Sequence, residues 1–289
     1  MTKIISWNIN GLKAWVKKDG IDNIHNEKCN IVCLQEFKCM RKRLPSVIIN
    51  WKTYQYKYYN FGNKKGQLGV CIFSQMKPLQ VIYGFEGNGI PDGDASDGCP
   101  DGDESDGRPD VDESDGRVIT AEFERYYIVN VYAPYIGRVN RWPNFVIDDT
   151  KLQSRREWNR NLVDHVKRLD QHKPVIICGD FNVAHKDRDY AADHLADNPV
   201  GVSAEERDDF ESLLDSGFTD SYRYIRGNDD EEDKCYTSWM YGINMKNDIG
   251  WRLDYFLVSD RLINCVSNSL IRKHVPGFDH CPIVLSLKI

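Results

Sequence analysis

Short apolar runs rich in β-branched and aromatic residues recur along the chain and predict a protein built on β-sheets. The clearest runs occupy residues 4–7, 31–34, 70–73, 118–123, 127–131, 175–178, 253–258 and 283–287. Runs of this length are typical of strands, whereas two longer segments, 150–169 and 203–216, have the spacing of helices. This alternation of strands and helices predicts an α/β fold in which helices cover the sheets.

Both helical segments carry specific signals. In the second, Ser203 can cap the first turn, Glu206 completes a capping box, and Gly217 marks the end. In the first, an apolar stripe predicts one buried face, formed by Trp158, Leu162, Val166 and Leu169.

The composition excludes several classes of protein. With 289 residues, of which 41% are hydrophobic, the chain can bury a sizeable core and is too apolar for wholesale disorder. No apolar run approaches about 18 residues, so we expect no membrane span and no membrane partner. The nine cysteines form no CxxC pair, which argues against a zinc ribbon. Free cysteines without a secretory signal predict an intracellular protein.

A charge-dense repeat lies near the middle of the chain. Residues 91–116 form three units rich in Asp and Gly, with eleven acids, one base and a net charge of −10. Because the whole chain carries −6, the remaining residues are mildly basic at +4. The repeat has almost nothing apolar to bury, so we expect a single catalytic domain over residues 1–289, with an acidic loop inserted at about 86–116. An EF-hand frame fails there, because Asp97 and Asp103 occupy the positions that require Gly and Glu.

Polar residues lie at the ends of five predicted strands. An Asp-x-Asn sequence after a strand is more often a turn than a catalytic site. Rigid α/β scaffolds nevertheless display functional groups at strand ends, and five such places favour one shared polar site. The residues concerned are Asn8, Glu36, Asp180, Asn182, Asp254, Asp279 and His280.

Six strings surround these residues, at 7–12, 34–36, 116–119, 179–185, 250–257 and 279–282. They read WNINGL, LQE, GRVI, GDFNVAH, GWRLDYFL and DHCP. Together and in this order they resemble the exonuclease III type of apurinic/apyrimidinic (AP) endonuclease, closer to the animal-type enzymes. The resemblance implies a four-layer α/β sandwich, with two central β-sheets flanked by helices, of the endonuclease/exonuclease/phosphatase superfamily.

The same resemblance implies an activity in base excision repair. Such an enzyme hydrolyses the phosphodiester 5′ to an abasic site in double-stranded DNA and leaves a 3′-OH and a 5′-deoxyribose phosphate. A 3′–5′ exonuclease or 3′-phosphodiesterase activity accompanies it. We further expect a monomer, located in the nucleus if the source is eukaryotic.

The resemblance also implies a metal site. Oxygen ligands suit a hard cation such as Mg²⁺, for which Mn²⁺ can substitute, and the cation stabilises charge that develops on the phosphate. Glu36 and Asp279 are the main expected carboxylates. The full implied set is Asn8, Asn10, Glu36, Asp180, Asn182 and Asp279.

The implied catalytic residues surround the same place. Asp180 would orient or deprotonate the attacking water, and Asn182 would donate to that water or to the phosphate. Asp254 would hold His280 in its charged form, which can bind a phosphate oxygen. Tyr132 would donate as a phenol or assist the nucleophile as a phenolate.

DNA contacts are expected to be basic and indifferent to sequence, since a lesion occurs in any context. The expected contacts are Lys13, Lys38, Arg117 and Arg138, with Trp251 lining the pocket that receives the sugar.

Four positions depart from the family pattern. Asn10 stands where animal relatives commonly carry Asp, and Tyr135 stands in place of an amide that contacts the phosphate. Ser238 and Gln67 each replace an aromatic residue. Loss of the pocket aromatic at Ser238 leads to the hypothesis that exonuclease or 3′-trimming activity is relatively stronger here.

Two alternative functions remain open from the sequence. The first is another superfamily activity, such as a phosphoinositide phosphatase or a DNase I-like nuclease. The second is a catalytically inactive DNA-binding or redox-partner protein. The complete set of implied catalytic residues argues against the second alternative.

Overall fold

Two six-stranded sheets contain all the apolar runs predicted as strands. The computed structural model describes residues 1–62, 66–85, 116–137, 148–191, 201–227, 235–239, 245–275 and 279–289. The strands are β1 (Thr2–Asn8), β2 (Ile31–Gln35), β3 (Tyr56–Asn60), β4 (Val70–Ser74), β5 (Gln80–Tyr83), β6 (Val118–Glu122), β7 (Tyr127–Tyr132), β8 (Val175–Asp180), β9 (Phe218–Asp220), β10 (Asp254–Ser259), β11 (Val266–Ile271) and β12 (Ile283–Leu287). The helices are α1 (Leu12–Lys17), α2 (Gly20–Glu27), α3 (Ser46–Ile49), α4 (Asp149–Asp170), α5 (Ala204–Asp215) and α6 (Ser221–Arg226).

The two sheets have the same pattern of strand directions. Their strand orders are β11-β12-β1-β2-β4-β3 and β5-β6-β7-β8-β10-β9. In the first sheet β1 runs parallel to β2, and in the second β7 runs parallel to β8. The other neighbouring pairs of described strands are antiparallel. Each sheet therefore places one parallel pair near its centre, with both carboxyl ends at one edge.

Three apolar layers hold four layers of structure together. Between the sheets, Ile4 and Cys33 of the first sheet share a core with Ile128 and Phe256 of the second. On the outer face of the second sheet, the predicted stripe of α4 packs with α5. On the outer face of the first sheet, Trp15 of α1, Ile24 of α2 and Ile48 of α3 pack against the sheet. The predicted four-layer α/β sandwich is confirmed.

A buried polar connection fixes the two sheets relative to each other. Gln35 Nε2 donates to Asn130 Oδ1 at 2.7 Å, and Asn130 Nδ2 donates to the carbonyls of Leu34 and Cys71 at 3.1 and 2.9 Å. These contacts pair the amide N–H donors of both side chains, and a buried donor left without a partner would cost stability. Since Gln35 precedes Glu36 and Asn130 lies two residues before Tyr132, this connection also sets the spacing of two candidate site residues.

The predicted elements agree with the structure. All eight predicted strands are confirmed within two residues of their expected bounds. Both helices are confirmed, and Ser203 and Glu206 form the expected capping box. Four strands were missed, namely β3, β5, β9 and β11. Three of them are partly exposed and carry polar residues, and β9 has only three residues, so their hydrophobic pattern is weak.

Two expectations fall outside the described residues. They concern most of the acidic repeat and Arg138. Among the helices that are described, none combines the length and hydropathy needed to cross a membrane.

Candidate active site at the sheet edge

Predicted site residues from both sheets meet at one edge of the sandwich. Asn8 ends β1 and Glu36 follows β2, while Tyr132 and Asp180 end β7 and β8. Asn8 Nδ2 donates to Asp180 Oδ2 at 2.9 Å and lies 3.3 Å from Glu36 Oε1. The carboxyl ends of the two parallel pairs therefore converge, as the pattern of polar strand ends predicts.

An imidazole lies between two carboxylates in this site. Asp254 is the first residue of β10 and pairs with Asp180 across the antiparallel β8–β10 ladder. His280 Nδ1 donates to Asp254 Oδ2 at 2.8 Å, and His280 Nε2 lies 3.8 Å from Asp180 Oδ2. Trp7 Nε1 donates to the His280 carbonyl at 3.0 Å, which fixes the backbone behind the ring. The array is almost fully buried.

Burial and charge give the two central groups unusual pKa values. Burial alone would lower the pKa of His280, but the carboxylates of Asp254 and Asp180 raise it to about 10. Burial raises the pKa of Asp180 to about 7, although the His280 charge opposes this shift. At neutral pH His280 is therefore an imidazolium, and Asp180 is close to its own titration point. A group with a pKa near the working pH is suited to general-base catalysis.

A second polar cluster adjoins this array. Asn10 Nδ2 donates to Asp279 Oδ2 at 3.0 Å, and Lys38 Nζ donates to Asn10 Oδ1 at 2.6 Å. The Lys38 ammonium also forms an ion pair with Glu36. Burial alone would raise the pKa of Glu36, but Lys38 and a hydrogen bond from Tyr132 lower it below its ordinary value. Glu36 is therefore ionised at neutral pH.

The donors of this second cluster fit a hard cation. They are carboxylate and amide oxygens, the ligands that Mg²⁺ and Ca²⁺ prefer. Asp279 Oδ1 is buried without a hydrogen-bond partner, so it has an unused lone pair for a ligand. The Lys38 ammonium shows that Glu36 and Asn10 accommodate positive charge between them.

Another possible ligand group is formed by Asp180, Asp254 and His280, whose ligand atoms lie within 4.8 Å of one another. The raised pKa of His280 means that both of its ring nitrogens carry protons at neutral pH. Both ring nitrogens also have hydrogen-bond partners, Nδ1 with Asp254 at 2.8 Å and Nε2 with Ser238 at 3.2 Å, whereas Asp279 Oδ1 has none, so the second polar cluster is the better cation site.

Tyr132 enters the site as a neutral phenol. Burial, followed by the charges of Glu36 and Asp180, raises the pKa of Tyr132 far above its ordinary value. Of the two roles expected for Tyr132, donation by the phenol therefore fits the structure better than a phenolate. Arg117 lies over the Tyr132 ring, 5.0 Å from its centroid, and its Nη1 donates to the Tyr132 carbonyl at 3.2 Å.

The segment after β8 has a strained backbone that is tightly held. Asn182 has φ 50°, its N–H donates to Asp180 Oδ1 at 2.8 Å, and its Nδ2 donates to the Ala133 carbonyl at 2.9 Å. Before Asp180, Gly179 has φ 141°, and a Cβ there would stand 1.9 Å from the Val131 carbonyl oxygen. Only glycine allows this approach of β8 to β7. Backbone strain of this kind concentrates at functional sites.

The expected DNA-contact residues have different surroundings. Lys13 is exposed at the start of α1. Lys38 is exposed as well, and its ammonium is bound to Glu36 and Asn10 in the polar cluster. Trp251 is buried in a small cluster with Tyr190, and its backbone bonds to that of Ser238.

Three of the positions that depart from the family pattern, Ser238, Tyr135 and Gln67, differ in how closely they approach the site. Ser238 Oγ lies 3.2 Å from His280 Nε2, so the hydroxyl is the hydrogen-bond partner of the imidazolium on that side. Tyr135 is 48% exposed and stands three residues after Tyr132. Gln67 is also exposed.

Two buried arginines near the site were not predicted. Arg252 Nε donates to Asp189 Oδ1 at 2.8 Å and its Nη1 donates to Asp220 Oδ2 at 2.7 Å, which anchors the chain between Trp251 and Asp254. Arg155 is only 2% exposed on α4. The sequence did contain a signal for Arg155, since it lies three residues before Trp158 and continues the apolar stripe toward the start of the helix.

Comparison with known families agrees with this geometry. The profile described as Endonuclease/Exonuclease/phosphatase family matches residues 5–276. This chain belongs to that family. Its fold matches the structure titled "Structure of an AP Endonuclease from Archaeoglobus fulgidus" with a TM-score of 0.76, at 22% identity and with both chains fully covered.

Two curated relatives within the family match almost the whole chain. The "DNA repair nuclease APEX1" of Danio rerio is 36% identical over 289 residues, which are 99% of this chain and 82% of the relative. The "Exodeoxyribonuclease" of Bacillus subtilis (strain 168) is 35% identical over 289 residues, covering 99% of this chain and all of the relative. The chain is therefore itself a hydrolase, a nuclease of the DNA-repair type.

Proposed function

We propose that this protein is a class II AP endonuclease that acts in base excision repair. It hydrolyses the phosphodiester 5′ to an abasic site in duplex DNA and leaves a 3′-OH and a 5′-deoxyribose phosphate. The observation that carries the proposal is the buried array of Asp254, His280 and Asp180, which holds a base and an imidazolium side by side. The DNA repair nuclease of Danio rerio, which matches 99% of this chain, supports the choice of substrate.

The base in this proposal is Asp180. With a pKa of about 7, Asp180 can accept a proton from water, whose oxygen then attacks the phosphorus atom. The Asn182 side-chain oxygen or the Asn8 amide can orient that water, because both side chains are already fixed beside Asp180. The bond between phosphorus and the 3′ oxygen breaks, the 3′ oxygen takes up a proton from solvent, and Asp180 releases its proton to solvent.

Two donors in the site stabilise the phosphate. The charge on His280 is maintained by Asp254, so His280 can bind a phosphate oxygen as negative charge accumulates. The neutral phenol of Tyr132, whose O–H bonds to Glu36 in the free site, would supply a second donor from the opposite sheet when it turns to the phosphate. Preorganised donors in a buried site need no rearrangement during the reaction.

The proposed cofactor is Mg²⁺, with Mn²⁺ as a substitute. Glu36, Asp279 and Asn10 of the second polar cluster would hold it, and the neighbouring Asn8 would add its Oδ1, which accepts from the Asn10 N–H at 3.1 Å. When bound, the cation supplies charge stabilisation for the phosphate and the leaving oxygen.

A second activity, trimming of 3′ ends, has its own support. Ser238 is small and bonds to His280 Nε2, at the position where the family resemblance implies a pocket aromatic. Without that aromatic ring, the pocket excludes an ordinary 3′ nucleotide less strongly. It therefore discriminates less between a nucleotide that carries a base and an abasic sugar. We propose that 3′–5′ exonuclease activity accompanies the AP endonuclease activity.

A nicking assay on a duplex with one tetrahydrofuran abasic analogue tests the main proposal. We expect a Mg²⁺-dependent, EDTA-sensitive cut on the 5′ side of the analogue, with a 3′-OH that a polymerase can extend. A matched duplex without the lesion and a soluble phosphoinositide serve as alternative substrates. Preferential hydrolysis of either one would overturn the assignment, and absence of all cleavage would favour an inactive DNA-binding protein.

A further inference from the structure

The Arg155 guanidinium connects two loops of the candidate site from behind. Arg155 extends from α4, on the outer face of the second sheet, and is 2% exposed. Its Nη1 donates to the Pro134 carbonyl at 2.5 Å, and its Nη2 donates to the Phe181 carbonyl at 2.7 Å. These two carbonyls lie on different loops, one following β7 and the other following β8.

Those loops carry the proposed reacting groups. Pro134 lies two residues after Tyr132, and Phe181 lies between Asp180 and Asn182. The loops also bond to each other, because the Ala133 N–H donates to the Asp180 carbonyl at 2.8 Å and Asn182 Nδ2 donates to the Ala133 carbonyl at 2.9 Å. Arg155 therefore completes a closed network of hydrogen bonds directly behind Asp180 and Asn182.

Burial of the Arg155 guanidinium at this place costs free energy of folding. Burial lowers the pKa of Arg155 to about 10, and nearby carboxylates, led by Glu206 and followed by Asp180, only partly compensate. Arg155 Nε has no hydrogen-bond partner, and no salt bridge within 4 Å of its guanidinium occurs among the described residues. Because a buried charge without a close counter-ion costs stability, packing alone would favour an apolar residue.

The geometry of guanidinium explains why arginine occupies the position. Its planar fork offers two parallel N–H donors at a fixed separation, which match two carbonyls on adjacent loops. A lysine ammonium is a point charge that cannot bridge both carbonyls in the same way. The neighbouring Arg156 shows the contrast, since it lies 38% exposed on the same helix and pairs with Asp209 at the surface.

We propose that Arg155 is a positioning residue for catalysis, which holds the loops after β7 and β8 so that Asp180 and Asn182 stay aligned with the reacting phosphate. In this role Arg155 does not touch the substrate: its guanidinium donates to two backbone carbonyls and also lies over the Trp158 ring of its own helix, 5.5 Å from the ring centroid. The proposal rests on the roles proposed above for Asp180 and Asn182. A misplacement of catalytic groups by about 1 Å can cost roughly 100-fold in rate, which sets the scale of the expected effect.

The test compares Arg155→Lys and Arg155→Met with the matched control Arg156→Met. For each variant, kcat and KM are measured on the abasic-analogue duplex with Mg²⁺. The kcat is normalised to the fraction of molecules that bind this duplex in EDTA, measured by fluorescence anisotropy. Circular dichroism at the assay temperature gives the folded fraction independently.

We expect Arg155→Lys to lower the normalised kcat by roughly 10- to 100-fold, with KM changed by less than about threefold. Arg156→Met should keep wild-type kcat. If Arg155→Met does not fold, Arg155→Lys alone decides the outcome. A wild-type normalised kcat in Arg155→Lys, or a fall in activity fully explained by the folded fraction, would overturn the positioning role. Failure of the wild-type enzyme to cut the abasic duplex would instead refute the proposed function, and the same variants would then be compared on the DNA that it does cut.

Discussion

His280 Nε2 and Asp180 Oδ2 face each other at 3.8 Å, too far apart for a hydrogen bond but close enough for a strong interaction between charges. The proton on His280 Nδ1, on the other side of the ring, is held by Asp254 at 2.8 Å. The two carboxylates therefore have different roles around one imidazole. Asp254 keeps His280 charged, while Asp180 retains a pKa of about 7 and can act as a base.

The first prediction concerns pH. Asp180 has a raised pKa, so it is protonated and inactive as a base below about 7 and becomes active as the pH rises through that value. His280 stays charged until the pH approaches about 10. We expect kcat/KM at saturating Mg²⁺ to rise through about pH 7 and to fall near pH 10. A rate that does not change across the lower limb would contradict a base role for Asp180.

The second prediction concerns Asp254. In Asp254→Asn the buried His280 loses the carboxylate that contributes most to raising its pKa, so burial should lower that pKa toward or below its ordinary value. We expect kcat to fall roughly 100-fold or more at neutral pH. NMR titration of the His280 ring would follow the pKa directly.

The pH dependence of the stability of the fold should change as well. The interactions that raise the pKa of His280 stabilise the fold. Their contribution is fully present when the pH is below the pKa of this imidazole in the unfolded chain, and it is lost as the pH rises through about 10.

The third prediction concerns the metal. Glu36→Gln removes a carboxylate charge and should raise the Mg²⁺ concentration for half-maximal activity by roughly tenfold. Glu27→Gln is a suitable control, because Glu27 is also an ion-paired carboxylate but bonds to Lys3 and Arg272 away from the site. Equal Mg²⁺ requirements in the two variants would show that Glu36 is not a ligand of the metal.

The fourth prediction concerns Ser238. Ser238→Phe should restore an aromatic wall to the pocket and lower the ratio of exonuclease to AP endonuclease activity. Ser238→Ala removes only the hydroxyl that bonds to His280, so it separates the effect of ring bulk from the loss of that bond. Cleavage of an abasic duplex and resection of an intact recessed 3′ end would be compared for both variants. If Ser238→Phe leaves the ratio unchanged, loss of the aromatic does not set the specificity.

The fifth prediction concerns the acidic repeat, whose residues 91–116 carry a net charge of −10. Such a segment repels the DNA backbone, and salt screens the repulsion. Deleting residues 91–109 should therefore tighten DNA binding more at low than at high ionic strength. Anisotropy titrations over a salt series would measure the effect. An affinity that is unchanged at every salt concentration would indicate a tolerated insertion without an electrostatic role.

Much of the fold followed from the sequence because the strong signals are local. The strands that flank the site are apolar runs buried on both faces, α4 has a clear apolar stripe, and α5 has a clear capping box. The strands that were missed, such as β3 and β11, have partly exposed faces with Tyr, Ser and Asn residues. Their assignment depends on hydrogen bonds to neighbouring strands, which a local pattern does not record.

The candidate site divides in the same way. The sequence by itself determined which side chains are candidates for the chemistry, because Asn8, Glu36, Asp180 and Asp254 each lie at a strand end that hydrophobic patterning reveals. Only the tertiary structure decided their protonation, since a pKa depends on burial and on charges that are distant in the chain. It also decided that Lys38 binds within the polar cluster and that Arg155, on the apolar stripe of α4, bonds to two loops of the site. Asn8 and Asp180 are 172 residues apart in sequence and 2.9 Å apart in space. The packing of two sheets brings them together, and only that packing fixes the distances on which the chemistry depends.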